Sequence, residues 1–130
     1  MPHKALITII DDDESVREAI SGLLRSSGFR AETFASAEDF LDSESLQRTS
    51  CLVMDVQMGG MSGPALHRTL IISGSPIPTI LITAYPDEKV RADALRAGAA
   101  CYLTKPFEED DLLTCIRSAL GHPEADKSEL

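Results

Sequence analysis

The sequence predicts an α/β fold built on a single doubly wound, five-stranded parallel sheet, and three observations predict it. Short aliphatic runs alternate five times with segments whose apolar residues recur at helical spacing, the pattern of βα units with right-handed crossovers. Glycine, proline and small polar residues punctuate the junctions. Two of the aliphatic runs, Ile7-Thr8-Ile9-Ile10 and Cys51-Leu52-Val53-Met54, end directly in carboxylates, Asp11-Asp12-Asp13 and Asp55. In an open parallel sheet that edge is where ligands bind. At 130 residues the chain suits one compact domain, residues 1–122, followed by a polar tail or linker stub, residues 123–130.

Each element has a local reason. Residues 5–10 form the first strand. Residues 14–27 carry Val16, Ile20, Leu23 and Leu24 along one helical face, Asp13 suits the cap, and Gly28 suits the position just past the end. Residues 30–34 make a short second strand. Ser36 and Asp39 open a second helix in a near capping box. Residues 51–55 are the third strand. A glycine-rich loop, residues 58–63, leads to a third helix with Pro64 in its first turn and Leu66, Leu70 and Ile71 facing inward. Residues 79–83 are the fourth strand. Residues 87–97 form a helix with a thin apolar face of Val90, Ala94 and Leu95, ended by Gly98. Residues 101–104 are the fifth strand, Pro106 breaks the chain, and residues 108–120 form a helix facing inward through Leu112, Leu113, Ile116 and Leu120.

Composition narrows the function. Hydrophobic residues make up 43% of the chain, enough for one core. The formal net charge of -9, with a pI near 4.7, argues against binding a nucleic-acid backbone directly. No apolar stretch approaches the roughly 20 residues that span a bilayer, and no signal-peptide pattern precedes the first strand, so a cytoplasmic protein is expected. Cys51, Cys101 and Cys115 are odd in number and lack a C-x-x-C pair, which reads as buried free thiols rather than a disulfide or zinc site. His3, His67 and His122 show no ligand spacing, and Met54, Met58 and Met61 read as packing residues.

Asp11-Asp12-Asp13, Asp55, Thr83 and Lys105 all fall at C-terminal strand ends. Singly, each is an ordinary cap, turn or surface residue. Jointly they assemble one chemistry. Crowded carboxylates need a cation, and hard oxygen ligands suit Mg²⁺. A carboxylate is also a nucleophile toward phosphoryl groups, with the metal, an ammonium and a hydroxyl neutralising the equatorial oxygens.

The motifs Ile9-Ile10-Asp11-Asp12-Asp13, Met54-Asp55-Val56-Gln57-Met58, Met61-Ser62-Gly63, Ile82-Thr83-Ala84 and Leu103-Thr104-Lys105-Pro106-Phe107 resemble those of response-regulator receiver domains of two-component signalling, over residues 5–120. The resemblance implies a flavodoxin-like sheet of order 2-1-3-4-5. It implies that Asp55 accepts phosphate from a sensor histidine kinase. Mg²⁺ would be held by Asp12, Asp55 and the Gln57 backbone carbonyl, with Asp11 acting through water. Thr83 and Lys105 would contact the phosphoryl group, Thr83 and Tyr102 would form the switch pair, and Gln57 and Tyr85 would tune dephosphorylation. Lys105-Pro106 would be a cis peptide. The surface of helix four, strand five and helix five would control an output domain, a partner or a phosphorylation-dependent homodimer. Such a domain catalyses only its own phosphotransfer and autodephosphorylation. Gly59-Gly60 departs from the pattern, because the family usually carries proline in that loop.

Two other readings compete. A phosphorylation-independent receiver-like binding module would usually have lost part of the acidic cluster, Thr83 or Lys105. An aspartyl-nucleophile phosphohydrolase generally has a second acid two positions after the nucleophile, where this chain has Gln57, and a cap domain for which there is no room.

Overall fold

The computed structural model describes residues 4–121; the predicted tail, residues 123–130, together with His3 and His122, lies outside them. Five strands and five helices alternate as expected. They are β1 (Leu6–Ile10), α1 (Glu14–Ser26), β2 (Arg30–Phe34), α2 (Ala37–Leu41), β3 (Cys51–Asp55), α3 (Gly63–Ile72), β4 (Thr79–Thr83), α4 (Glu88–Arg96), β5 (Cys101–Thr104) and α5 (Glu109–Ala119). All neighbouring strands are parallel, in the order β2-β1-β3-β4-β5.

The central strands β1, β3 and β4 are largely apolar and buried throughout because both faces of the sheet are covered. Side chains alternate between the faces. Ile7, Ile9, Val53, Ile80 and Ile82 pack with Ile20 and Leu24 of α1 and Leu112 and Ile116 of α5. Ile10, Leu52, Met54 and Leu81 pack with Phe40 of α2, Leu66 and Leu70 of α3, and Ala94 of α4. Edge strands β2 and β5 are only partly buried. The methionines pack as expected, with Met54 and Met58 in the core and Met61 against it.

Local signals account for the starts of α1, α2 and α3. Asp13 caps α1 by accepting from the Ser15 N–H at 2.9 Å, Ser36 caps α2 through the Asp39 N–H at 3.1 Å, and Ser62 caps α3 through the Ala65 N–H at 3.2 Å. The Lys105-Pro106 peptide is cis.

Three expectations need correction. Ile71 is 42% exposed and Leu95 36%, so neither completes an inward face. Each lies one position beyond a residue that is buried, Leu70 and Ala94, and one step rotates a helical side chain by about 100°. The chain also makes a short 3₁₀ turn, Glu44–Gln47, capped by Ser43, where no element was expected. The third correction is covalent. Cys101 and Cys115 are joined in a disulfide across a Cα–Cα distance of 6.2 Å, and only Cys51 is a free, buried thiol. Sequence spacing missed the pair because β5 and α5 meet through tertiary packing.

Candidate functional site

Strand register builds the site. Ile10 lies opposite Met54, so the next residues, Asp11 and Asp55, emerge side by side. Asp55 in turn lies opposite Ile82, and Thr83 opposite Thr104, which brings Thr83 and the start of the Lys105 segment to the same edge. Carboxylate oxygens of Asp11, Asp12 and Asp55 all lie within 4.8 Å of one another. Asp11 is 1% exposed and Asp55 9%, whereas Asp12 is open to solvent.

Lys105 binds this cluster together. Its Nζ lies 3.2 Å from Asp11 Oδ2 and 3.3 Å from Asp55 Oδ1. The Asp13 N–H orients Asp11 by donating to Oδ1 at 2.9 Å, and Arg17 Nη1 donates to the Asp11 backbone carbonyl at 2.6 Å. Burial pushes the Asp55 carboxyl above its ordinary range. Lys105 opposes that push, and the charges of Asp11 and Asp12 reinforce it. Burial alone would lower the Lys105 ammonium, but Asp11 and Asp55 outweigh it and leave the pKa raised.

Three carboxylates against one ammonium leave two formal negative charges in a half-buried crevice. An all-oxygen donor set with that charge fits a small, hard divalent cation such as Mg²⁺. No histidine or cysteine joins the cluster among the described residues.

The other predicted residues are placed more loosely. Thr83 is 1% exposed, and its Oγ1 accepts from the Tyr85 N–H at 3.0 Å, which leaves the hydroxyl hydrogen free to donate. Gln57 is exposed and Tyr85 is 71% exposed. Tyr102 is half-buried against the core, and its hydroxyl accepts from the N–H of Asp87, the cap of α4, at 3.4 Å.

Two supports of the site escaped sequence reasoning. The Glu38 carboxylate of α2 accepts from the Met61 N–H at 2.9 Å, a bond that holds the Glu38 pKa below its ordinary value. It reaches the loop because Gly60 has φ 84° and no side chain; a Cβ there would meet Glu38 Oε2 at 2.8 Å. The Gly59-Gly60 departure is therefore matched by a tether. Gly63 begins α3 directly against the end of β3, and a Cβ there would lie 2.5 Å from the Asp55 carbonyl oxygen and 2.9 Å from Leu81 Cδ2. The Met61-Ser62-Gly63 motif was the one visible signal for it.

Comparison with known proteins agrees with this geometry. The family model for the response regulator receiver domain matches residues 7–117. The response regulator protein TmoT of Ectopseudomonas mendocina is 44% identical over 118 residues, covering 91% of this chain and 54% of that protein. The chain thus spans about half the length of that curated relative. The structure of the response regulator StyR superposes with a TM-score of 0.84 at 40% identity, covering 98% of this chain and 64% of that one. The BeF3-activated DrrB receiver domain superposes with a TM-score of 0.81 at 29% identity, covering 92% and 99%. With the five-stranded 2-1-3-4-5 sheet and the carboxylate crevice at its C-terminal edge, the chain belongs to the response regulator receiver domains of two-component signalling.

Proposed function

We propose that this domain is a phosphorylation-activated switch whose acceptor is Asp55. The observation that carries the reading is the Lys105 ammonium lying between the buried Asp11 and Asp55 carboxylates, with the exposed Asp12 completing the cluster. The Asp55 carboxylate attacks the phosphorus of a kinase phosphohistidine. An O–P bond forms, the P–N bond breaks, and its electron pair leaves with the imidazole nitrogen. Lys105 and the Thr83 hydroxyl bind the phosphoryl oxygens. Asp12, Asp55 and the Gln57 carbonyl, with Asp11 in support, would hold Mg²⁺, which would supply charge neutralisation. Gln57, two positions after Asp55, and Tyr85, two positions after Thr83, tune the return hydrolysis, which the domain catalyses on itself.

The separate hydrogen bonds of Thr83 and Tyr102 support a switch built on this pair. Recruitment of Thr83 to phosphate vacates space toward which the Tyr102 ring turns. Its hydroxyl then leaves the Asp87 N–H and loosens the start of α4. The α4–β5–α5 surface carries that change to an output domain or partner, or to a second copy. A sensor histidine kinase is the donor, the setting is the cytoplasm, and the chain itself does not contact nucleic acid. The receiver unit is residues 1–122, with residues 123–130 as a polar tail or linker stub. Among the described residues no helix is long and apolar enough to cross a membrane. A phosphorylation-independent binding module is not favoured, because the acidic cluster, Thr83 and Lys105 are all retained.

Intact-mass measurement after treatment with acetyl phosphate and Mg²⁺ tests the assignment. One phosphoryl group is expected on the wild type and none on Asp55→Asn. Equal labelling of both proteins would move the acceptor elsewhere.

A further inference from the structure

The Cys101–Cys115 bond lies where the proposed switch operates. Cys101 opens the edge strand β5, immediately before Tyr102, and Cys115 lies on α5. Between them run Tyr102, Lys105 and Pro106, so the bond closes a loop that contains both the switch tyrosine and the lysine bridging Asp11 and Asp55. β5 has a neighbouring strand on one side only, and the disulfide adds a covalent tie between it and its covering helix. Both cysteines are partly exposed, within reach of a small solute. The third cysteine differs on every count. Cys51 is fully buried, and burial pushes its thiol up to about 12, which keeps it protonated and inert.

The Cα–Cα distance of 6.2 Å lies inside the span a disulfide bridges without backbone movement. Where thiols are otherwise kept reduced, a disulfide that forms in such a geometry is typically transient or redox-sensing. We propose that Cys101 and Cys115 are a reversible modification site, oxidised by a low-molecular-weight disulfide such as glutathione disulfide, and that the bond clamps α5 to β5 and restrains the movement of Tyr102. The restraint rests on the switch reading above; the thiol chemistry does not.

The exchange balances. One cysteine thiolate attacks a sulfur of glutathione disulfide, forming a mixed disulfide and releasing one glutathione thiolate. The second thiolate attacks the protein sulfur of the mixed disulfide, forming Cys101–Cys115 and releasing the second glutathione. Two protein thiols are oxidised, one glutathione disulfide is reduced to two thiols, and the two thiol protons pass to the leaving thiolates.

The full chain is equilibrated in graded mixtures of reduced and oxidised glutathione, acid-quenched and weighed by mass spectrometry. Loss of two hydrogens is expected as the mixture becomes oxidising, with full return on reduction. Cys101→Ser and Cys115→Ser should each abolish that loss, and Cys51→Ser should leave it intact. Stable glutathione adducts, disulfide-linked dimers, or a bond that survives the most reducing mixture would each overturn the reversible site. The restraint is read by hydrogen exchange with and without beryllofluoride. A smaller response over residues 101–119 is expected in the oxidised form, and equal responses in the two forms would overturn it. Should neither form respond nor accept phosphate at Asp55, the switch reading fails and takes the restraint with it, while the mass result still decides the thiol exchange.

Discussion

Replacing Gly63 by alanine tests how closely α3 must approach the end of β3, which carries Asp55. The added Cβ would lie 2.5 Å from the Asp55 carbonyl oxygen and 2.9 Å from Leu81 Cδ2. The first distance is about 1 Å inside ordinary van der Waals contact, and the atom is main chain rather than the end of a flexible side chain. Either α3 backs away or Asp55 shifts. Overpacking of this kind costs about 1–3 kcal/mol. For a domain of this size each kcal/mol moves the melting temperature by roughly 4 °C, so a fall of roughly 4–12 °C is expected. Because the displaced residue carries the proposed acceptor carboxylate, labelling by acetyl phosphate should slow as well, and a misplacement of about 1 Å can cost on the order of 100-fold. Gly22 is the control. It lies on the exposed side of α1, nothing stands within 4 Å of its added Cβ, and Gly22→Ala should gain about 0.5–1 kcal/mol from helix propensity alone. Thermal melts followed by circular dichroism, with a labelling time course, measure both effects. A Gly63→Ala protein that melts at or above the wild type and labels at the same rate would refute the close-approach reasoning.

Three further outcomes are expected. The Asp55 pKa is raised above its ordinary 3.8, so the folded state holds this proton more tightly than the unfolded one, and stability is lost as pH rises through the folded value. In the absence of metal, denaturant titrations should find Asp55→Asn more stable than wild type near neutral pH, with the advantage shrinking as pH falls toward 3.8; a pH-independent difference contradicts this. Mg²⁺ bound only by the native state should stabilise it by about 2.7 kcal/mol at 100 times the dissociation constant and so raise the melting temperature, and Asp12→Ala should blunt the response. Glu38→Ala removes the acceptor for the Met61 N–H, so hydrogen exchange at that amide should quicken while the exchange of β1 and β3 amides is unchanged.

The strands were legible because their physics is local. Short, mostly apolar runs such as Cys51–Asp55 and Thr79–Thr83 need no knowledge of their neighbours to be recognised, and the structure places both within the predicted bounds. The helix caps Asp13 and Ser36 are equally local, since each acts on an N–H two or three residues away. The acidic edge was legible for a related reason. Parallel strands joined by right-handed crossovers all end on one side, so residues following them converge without any distance being known.

What depended on the folded chain is each interaction whose partners are far apart in sequence. The Lys105–Asp11 bridge joins residues 94 apart, and the Glu38 tether to Met61 joins residues 23 apart. Whether Ile71 faced the core turned on about 100° of helix rotation, a quantity set by how α3 docks rather than by its composition. The thiols show the division most plainly. Three cysteines without a paired spacing predicted free sulfhydryls, and the packing of α5 against β5 brought Cys101 and Cys115 together. Sequence determined the periodicities and the strand ends, because those follow from backbone geometry one residue at a time. Tertiary structure decided the contacts, because two side chains meet only after every intervening element has been packed.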